Sequence, residues 1–224
     1  MAKFNMFITI LVLPLYWIRS QFLRIYGTPE KIYKEMKMYP KHYFGFRRIR
    51  IKRHGFVPNN DEHYIFVCNH QSQNDIFVTL SSIDQPFRFI AKKELFENIV
   101  TGTFMKMSKS YPLDRDDARK SLTILKEAVK DSKEGHSILA FPEGTRSYQK
   151  DMLPFKDGIF SMLRKAEAPI VVMYIKESFD ESQKEMNVYF DAPIFKETYN
   201  KLKGVELSEL AFERMNVLKA QAYQ

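Results

Sequence analysis

A histidine and a carboxylate lie close together in a polar stretch of this 224-residue sequence. The stretch runs from Asn69 to Asp75, and His70 lies near its beginning. An imidazole can take a proton from a hydroxyl group near neutral pH, and a carboxylate on its other nitrogen fixes the tautomer and supports the cation. His70 and Asp75 are therefore candidates for a general-base pair that uses a substrate hydroxyl as nucleophile. A hydrogen bond within a loop is the simpler interpretation of the same two residues.

The elements on either side of this stretch would place it at the edge of a sheet. Residues 65–68 form a short apolar, β-favouring run that is typical of a buried strand. An apolar helical pattern resumes after Asp75 and continues to about Ser82. In open α/β sheets, ligands bind in the crevice beyond the carboxyl ends of the strands. The sequence therefore predicts that His70 lies in such a crevice.

Two further motifs follow the first one at intervals along the chain. Residues 111–115 read Tyr-Pro-Leu-Asp-Arg, and residues 141–147 read Phe-Pro-Glu-Gly-Thr-Arg-Ser after a strand predicted for residues 137–141. In this order and at these distances, the three motifs resemble the glycerolipid acyltransferase family, and within it the 1-acyl-sn-glycerol-3-phosphate acyltransferases. The resemblance covers about residues 45–190.

The resemblance implies a reaction in which no cofactor takes part. A fatty acyl group would pass from acyl-CoA or acyl carrier protein, as co-substrate, to the sn-2 hydroxyl of lysophosphatidate, and phosphatidate would form. His70 would remove the hydroxyl proton, and Asp75 would orient the ring. The alternatives are an acyltransferase for another acceptor, such as glycerol 3-phosphate or another lysophospholipid, and a non-catalytic peripheral membrane module.

The second and third motifs supply candidate substrate-binding residues. Arg115 and Arg146 are candidates for the acceptor phosphate, because a guanidinium offers forked donors that match phosphate oxygens; a salt bridge with a neighbouring aspartate is the alternative for Arg115. Gly144 would let the backbone approach a ligand, and Glu143 could hold the glycerol hydroxyl or a motif arginine. The candidate set is Arg115, Glu143, Gly144, Thr145 and Arg146, with Lys156 as a possible donor-binding residue.

The second motif departs from the family pattern in its backbone chemistry. Lys109 and Ser110 stand where the family usually has glycine, and Pro112 stands where it has a branched apolar residue. The departure bears on the local backbone shape and not on Arg115.

Several other chemistries find little support in the residues. No Gly-x-Ser-x-Gly motif is present, which argues against a serine acyl-enzyme. Cys68 lies two residues before His70, so a Cys–His nucleophile pair is conceivable, although a cysteine in an apolar strand usually packs as a small hydrophobic residue. His70 and Asp75 lack further ligands at the spacing of a metal site, and no glycine-rich nucleotide motif occurs.

The positive charge of the chain is concentrated near the N-terminus. Residues 1–60 hold 12 of the 35 Lys and Arg residues but only two of the 27 Asp and Glu residues. Residues 4–18 are apolar, too short for an ordinary spanning helix, and end in Tyr16 and Trp17. A signal peptide and a core helix are alternatives, but an interfacial or re-entrant helix is favoured. The anionic partner is then a membrane rather than a nucleic acid, and the cytoplasmic face of the cell membrane is the expected location.

The overall prediction is an α/β fold with a mixed sheet flanked by helices, the glycerolipid acyltransferase fold. Residues 1–42 would form a membrane-associated helical hairpin and residues 43–224 the acyltransferase domain. The predicted helices cover residues 29–39, 75–82, 94–107 with a break near Gly102, 118–133, 158–165 and 208–222. The predicted strands cover residues 46–54, 64–68, 87–91, 111–115, 137–141, 168–175 and 186–190.

Overall fold

The computed structural model describes residue 14 and residues 17–224. This part of the chain contains a seven-stranded sheet, in the order β1-β7-β6-β2-β5-β3-β4. The strands are β1 Arg50–Gly55, β2 Ile65–Cys68, β3 Phe87–Lys92, β4 Tyr111–Leu113, β5 Ser137–Ala140, β6 Ile170–Ile175 and β7 Glu185–Phe190. The helices are α1 Pro29–Arg47, α2 Asn74–Ser82, α3 Ile99–Met107, α4 Ala118–Lys133, α5 Asp157–Leu163, α6 Lys196–Tyr199 and α7 Gly204–Ala222.

The sheet is mixed, as predicted. Strands β2 to β6 run parallel to one another, β7 pairs with β6 in the antiparallel direction, and β1 pairs with β7 in parallel. Because β2, β3, β4, β5 and β6 share one direction, their carboxyl ends lie along the same edge of the sheet. That edge receives the residues that follow each of these strands.

Helices cover both faces of the central strands. Along β2, Ile65 and Val67 join a core with side chains of α4, α5 and α7. Phe66 and Cys68 point the other way and join a second core with side chains of α1, α2 and α3. Successive side chains of a strand point to opposite faces, so a strand covered on both sides must be apolar throughout. This explains why β2 and β6 are continuous apolar runs and why β5 is apolar after Ser137.

Helix α1 is longer than the sequence pattern predicts. It begins at Pro29, after the N-cap Thr28, and continues through Pro40 to Arg47 rather than ending at Tyr39. A proline inside a helix removes one backbone hydrogen bond. The buried positions Tyr33, Met36, Pro40 and Phe44 nevertheless continue one apolar stripe into the core, and their burial offsets that loss. The predicted strand therefore begins at Arg50 rather than at residue 46.

The predicted break at Gly102 is wrong. A 3₁₀ turn at Lys93–Phe96 precedes α3, which begins at Ile99 and passes through Gly102 without interruption. A Cβ atom at Gly102 would lie only 2.3 Å from the carbonyl oxygen of Phe96. The glycine is therefore required by a close backbone approach and not by the end of a helix.

The second motif keeps its strand despite its unusual residues. Lys109 adopts φ 51°, the left-handed conformation that favours glycine, just before β4. The resemblance predicted glycine in this region, and here a lysine adopts the glycine-like backbone conformation. Pro112 lies within β4, an edge strand, where a missing N–H is tolerated.

The predicted N-terminal membrane helix lies mostly outside the described residues. Residues 17–26 are helical, and α1 continues across the predicted domain boundary at residue 42. Among the described residues, no helix is both long enough and apolar enough to cross a membrane.

Candidate active site

The loop after β2 brings His70 and Asp75 into direct contact. Asp75 lies in the first turn of α2, and its Oδ2 accepts a hydrogen bond from His70 Nδ1 at 2.7 Å. The imidazole stacks on the ring of Phe141, with 4.2 Å between the ring centroids. The His70 side chain is 15% exposed, and within the described chain no group bonds to its Nε2. That nitrogen is available to a hydroxyl at the carboxyl edge of the sheet.

Asp75 is completely buried and is surrounded by hydrogen-bond donors. Its Oδ2 also accepts from the backbone N–H of Gln71 at 2.6 Å and of Ser72 at 2.8 Å. Its Oδ1 accepts from the hydroxyl of Ser178. An ionised carboxylate can only accept, so four donors on two oxygens match its charged form. The arrangement holds the carboxylate in one orientation toward His70.

The third motif is bonded directly to the histidine loop. The backbone N–H of Ser147 donates to the carbonyl of His70 at 2.9 Å, and that of Tyr148 donates to the carbonyl of Gln71 at 3.1 Å. Gln71 Nε2 donates to the carbonyl of Gln149 at 3.0 Å. These bonds fix the loops after β2 and β5 as one unit.

Glu143 occupies a different place from the one expected for a substrate-binding residue. Its side chain is buried, with 2% of the residue exposed. Oε1 accepts from the backbone N–H of His70 at 2.7 Å, and Oε2 accepts from that of Leu153 at 2.7 Å. Both carboxylate oxygens of Glu143 are thus bonded to backbone N–H groups of two other loop segments, one at His70 and one at Leu153, and no arginine pairs with Glu143 among the described residues.

The burial of Glu143 predicts a pH dependence of stability. Burial raises the pKa of this carboxyl to about 7, against the lowering effect of the two backbone donors. Between its ordinary pKa of about 4.5 and about 7, the folded chain therefore holds a proton that the unfolded chain has released. Stability from this group is greatest at low pH and falls as pH rises through that window, by about 3 kcal/mol in total.

The variant Glu143→Gln should lose this pH dependence, because its amide does not titrate. We expect the free energy of unfolding of the wild type, relative to the variant, to fall from pH 5 to pH 8. Urea unfolding, monitored by circular dichroism at each pH, measures the free energy of unfolding of the wild type and of the variant. Parallel pH profiles for the two proteins would contradict the assignment, because a constant offset between them reports only the altered hydrogen bonds and no titration of residue 143.

The remaining residues of the third motif face outward. Gly144 has φ 72°, a conformation that side chains other than glycine rarely adopt, and Thr145 beside it is exposed. Arg146 is half-buried and its guanidinium lies 5.4 Å from the centroid of the Tyr148 ring. No carboxylate among the described residues pairs with Arg146. Lys156 is exposed and lies beside Gly144.

Arg115 lies at the same edge of the sheet but further from the histidine. It follows β4, which is three strands from β2, so the strand spacing places it about 14 Å along the edge. Arg115 is exposed. The neighbouring carboxylates pair elsewhere, Asp114 with Lys93 and Asp117 with Lys120, and no ion pair of Arg115 occurs in the described chain. The alternative of a local salt bridge therefore finds no support.

Cys68 does not form a nucleophile pair with His70. It is fully buried in the core, its Sγ lies 3.7 Å from Asn69 Oδ1, and burial raises the pKa of its thiol well above the ordinary value. A thiol with a raised pKa is a poor nucleophile. In residues 17–224, no group of three or more His, Cys, Asp or Glu side chains is placed to hold a metal ion.

Two further residues contribute to the site: Asn69, the first residue of the polar stretch, to which the sequence pattern assigns no role, and Ser178, which lies in no motif. Asn69 forms a two-bond clamp between strands, with Oδ1 accepting from Ile175 N at 2.7 Å and Nδ2 donating to Ile175 O at 2.9 Å. Ser178, three residues beyond β6, contacts Asp75. The sequence could have indicated these residues only by their positions, because both follow strands whose carboxyl ends meet at the site.

Comparison with known proteins agrees with these motifs. A family model described as Acyltransferase matches residues 48–176, which is more than half of the chain. The chain is 36% identical over 141 residues to a chloroplastic 1-acyl-sn-glycerol-3-phosphate acyltransferase of Brassica napus, an alignment covering 63% of this chain and 39% of that protein. A 1-acyl-sn-glycerol-3-phosphate acyltransferase of Saccharomyces cerevisiae is 36% identical over 118 residues, with 51% and 39% coverage.

The fold is also shared with a solved structure. The 1-acyl-sn-glycerophosphate acyltransferase of Thermotoga maritima superposes with a TM-score of 0.78 at 21% identity, covering 98% of this chain and 94% of that one. The chain spans about two fifths of the length of the Brassica and yeast relatives. From the match over residues 48–176, we conclude that this chain belongs to the acyltransferase family.

Proposed function

We propose that this protein is an O-acyltransferase that moves a fatty acyl group from an acyl thioester to the sn-2 hydroxyl of 1-acyl-sn-glycerol 3-phosphate. The products are phosphatidate and the free thiol of CoA or acyl carrier protein. The names of the relatives support this acceptor. The observation that carries the chemistry is the His70–Asp75 hydrogen bond at 2.7 Å, which leaves Nε2 open at the carboxyl edge of the sheet.

The reaction needs one proton acceptor and no enzyme nucleophile. His70 Nε2 takes the proton of the acceptor hydroxyl as its oxygen attacks the thioester carbonyl. The C–S bond then breaks, and the imidazolium returns the proton to the leaving sulfur. Asp75 stabilises the imidazolium between these steps. General-base assistance contributes roughly 10²–10⁴ to the rate, so the alignment of the two substrates must supply much of the remainder.

The phosphate of the acceptor would bind the unpaired arginines at this edge. Arg146 directly precedes Ser147 and Tyr148, whose N–H groups are bonded to the histidine loop, so the backbone of Arg146 is held beside that loop. Arg115 has no ion pair in the described chain and lies further along the edge, where it would reach an outer phosphate oxygen. Lys156, exposed beside Gly144, is the candidate for the phosphates of the acyl donor.

The proposed acceptor is a lipid, so the protein must reach a membrane surface. Residues 17–26, which are helical, expose several large apolar side chains. Trp17, Ile18, Phe22, Ile25 and Tyr26 are all at least 44% exposed. Exposed aromatic and aliphatic side chains near basic residues are typical of interfacial membrane helices. We place the protein on the cytoplasmic face of the cell membrane. Failure of the purified protein to co-sediment with anionic phospholipid vesicles would contradict this placement.

The reaction is tested by thiol release from acyl-CoA with purified protein in detergent, with and without lysophosphatidate. We expect release that depends on lysophosphatidate and yields phosphatidate. A parallel panel of acyl carrier protein, glycerol 3-phosphate and other lysophospholipids identifies the preferred donor and acceptor. No release with any pair would overturn the enzyme assignment.

The variant Arg146→Ala should weaken acceptor binding selectively. A charge-assisted hydrogen bond to phosphate contributes about 1.5–3 kcal/mol, so the KM for lysophosphatidate should rise roughly 10- to 100-fold. The KM for the acyl donor should change little. The control is Arg214→Ala, because Arg214 pairs with Asp191, whose N–H is bonded to Val172 toward the amino end of β6, away from the carboxyl edge. Equal increases in both KM values would count against the phosphate role of Arg146.

A further inference from the structure

Ser178 contacts the catalytic pair from a part of the chain that carries no motif. It lies three residues after β6 and is completely buried. Strands β6 and β2 are neighbours, with Cys68 paired with Met173, so the segments after the two strands meet. Ser178 therefore reaches the loop of His70 across more than 100 residues of sequence.

The hydroxyl of Ser178 has a contact that nothing else replaces. Asp75 Oδ2 has three donors, whereas Ser178 Oγ is the single donor to Oδ1 among the described residues. Both residues are fully buried, so solvent cannot take the place of the hydroxyl. A buried carboxylate oxygen without a donor has lost a hydrogen bond that stabilises its negative charge, and the Asp75 carboxylate is the group placed to balance the imidazolium.

The backbone of Ser178 makes separate contacts that do not depend on its side chain. Its carbonyl accepts from Ser72 Oγ at 3.0 Å and from Asn74 Nδ2 at 2.9 Å, and its N–H donates to Gln71 Oε1 at 3.2 Å. Ser72 Oγ also lies 3.1 Å from Ser178 Oγ. Replacement of the side chain by alanine keeps the backbone contacts, so the loop remains attached while the hydroxyl is removed.

We propose that Ser178 is a positioning residue that holds Asp75 in its ionised, histidine-facing state through a hydrogen bond to Oδ1. The expected effect of Ser178 on turnover rests on the proposed acyl transfer. The hydrogen bond between Ser178 and Asp75 is independent of that proposal, because it is present in the folded protein without substrate. Ser178 would act on the substrate only through Asp75 and His70.

The first test compares Ser178→Ala with Ser178→Thr, which keeps the hydroxyl. Loss of one buried hydrogen bond to a charged group should lower kcat at pH 7 roughly 10-fold or more, with KM for both substrates unchanged. Threonine should restore activity.

A double-mutant cycle with Asp75→Asn decides whether Ser178 acts through Asp75. If it does, Asp75→Asn/Ser178→Ala should be no less active than Asp75→Asn alone, because contacting residues do not contribute additively. The control is Ser82→Ala, at the other end of α2, where a buried hydroxyl donates to the Val78 carbonyl at 2.7 Å. Wild-type kinetics in Ser178→Ala, or fully additive losses, would overturn the proposal.

An activity-independent measurement separates this proposal from the proposed function. In histidine-labelled protein, the Nδ1-proton resonance of His70 should shift or broaden in Ser178→Ala and stay unchanged in Ser82→Ala. This readout applies even if the wild type transfers no acyl group and also if Ser178→Thr does not fold. An unchanged His70 resonance in a folded Ser178→Ala protein would refute the positioning role.

Discussion

His70→Ala should abolish most of the acyl transfer and leave the fold intact. The substitution removes the imidazole that we propose takes the proton of the acceptor hydroxyl, and turnover should fall by roughly 10²–10⁴. The backbone bonds of residue 70, to Glu143 and Ser147, do not involve the imidazole. Asp75 keeps its other three donors. The expected result is therefore a folded protein with little activity.

The matched control is His63→Ala. His63 precedes β2 at its amino end, so the strand length places it about 20 Å from His70, beyond the opposite edge of the sheet. Steady-state kinetics, thermal unfolding and vesicle binding should be measured on both variants. Turnover within about twofold of the wild type in His70→Ala would remove this residue as the base. An equal loss of activity in the control would show a general effect on the fold.

The location of the site could be predicted from the sequence because it depends on short-range patterns. An apolar run followed by polar residues marks the end of a strand, and strand ends collect ligands in α/β sheets. The loops after β2 and β5 were both found in this way. Their direct bonding, by Ser147 N–H to the His70 carbonyl, follows from the adjacency of two strands and could not be derived from either motif alone.

The features that the sequence pattern does not contain depend on contacts distant in sequence. Ser178 is an ordinary loop serine until β6 is paired with β2. Glu143 has the chemistry of a substrate ligand, but tertiary packing buries it against the backbone of His70 and Leu153. Helix α1 continues through Pro40 because Phe44 completes a buried apolar stripe. The helix propensities of the individual residues do not include the free energy of that burial. In each of these places, tertiary contacts decide the outcome.

The second large effect is expected for Asp75→Asn, and it should be electrostatic. Three donors converge on Oδ2, whereas Oδ1 meets one hydroxyl that can also accept. The asparagine should therefore place its oxygen at the Oδ2 position and its NH₂ toward Ser178. The opposite orientation would set an NH₂ group against two backbone N–H donors. His70 then keeps its Nδ1–H tautomer but loses the negative charge that balances the imidazolium.

The cost of that lost charge sets the size of the effect. Unit charges about 4 Å apart interact by about 4 kcal/mol at an effective dielectric constant of 20, which corresponds to a roughly 10²- to 10³-fold fall in kcat. Because the tautomer is retained, the ¹⁵N shifts of the His70 ring should still report a proton on Nδ1. A proton on Nε2 instead would show that the asparagine has turned its NH₂ group toward His70. The two backbone N–H groups would then not determine the orientation of residue 75. An unchanged kcat would show that the imidazolium needs no counter-charge, and His70 would then be an isolated base.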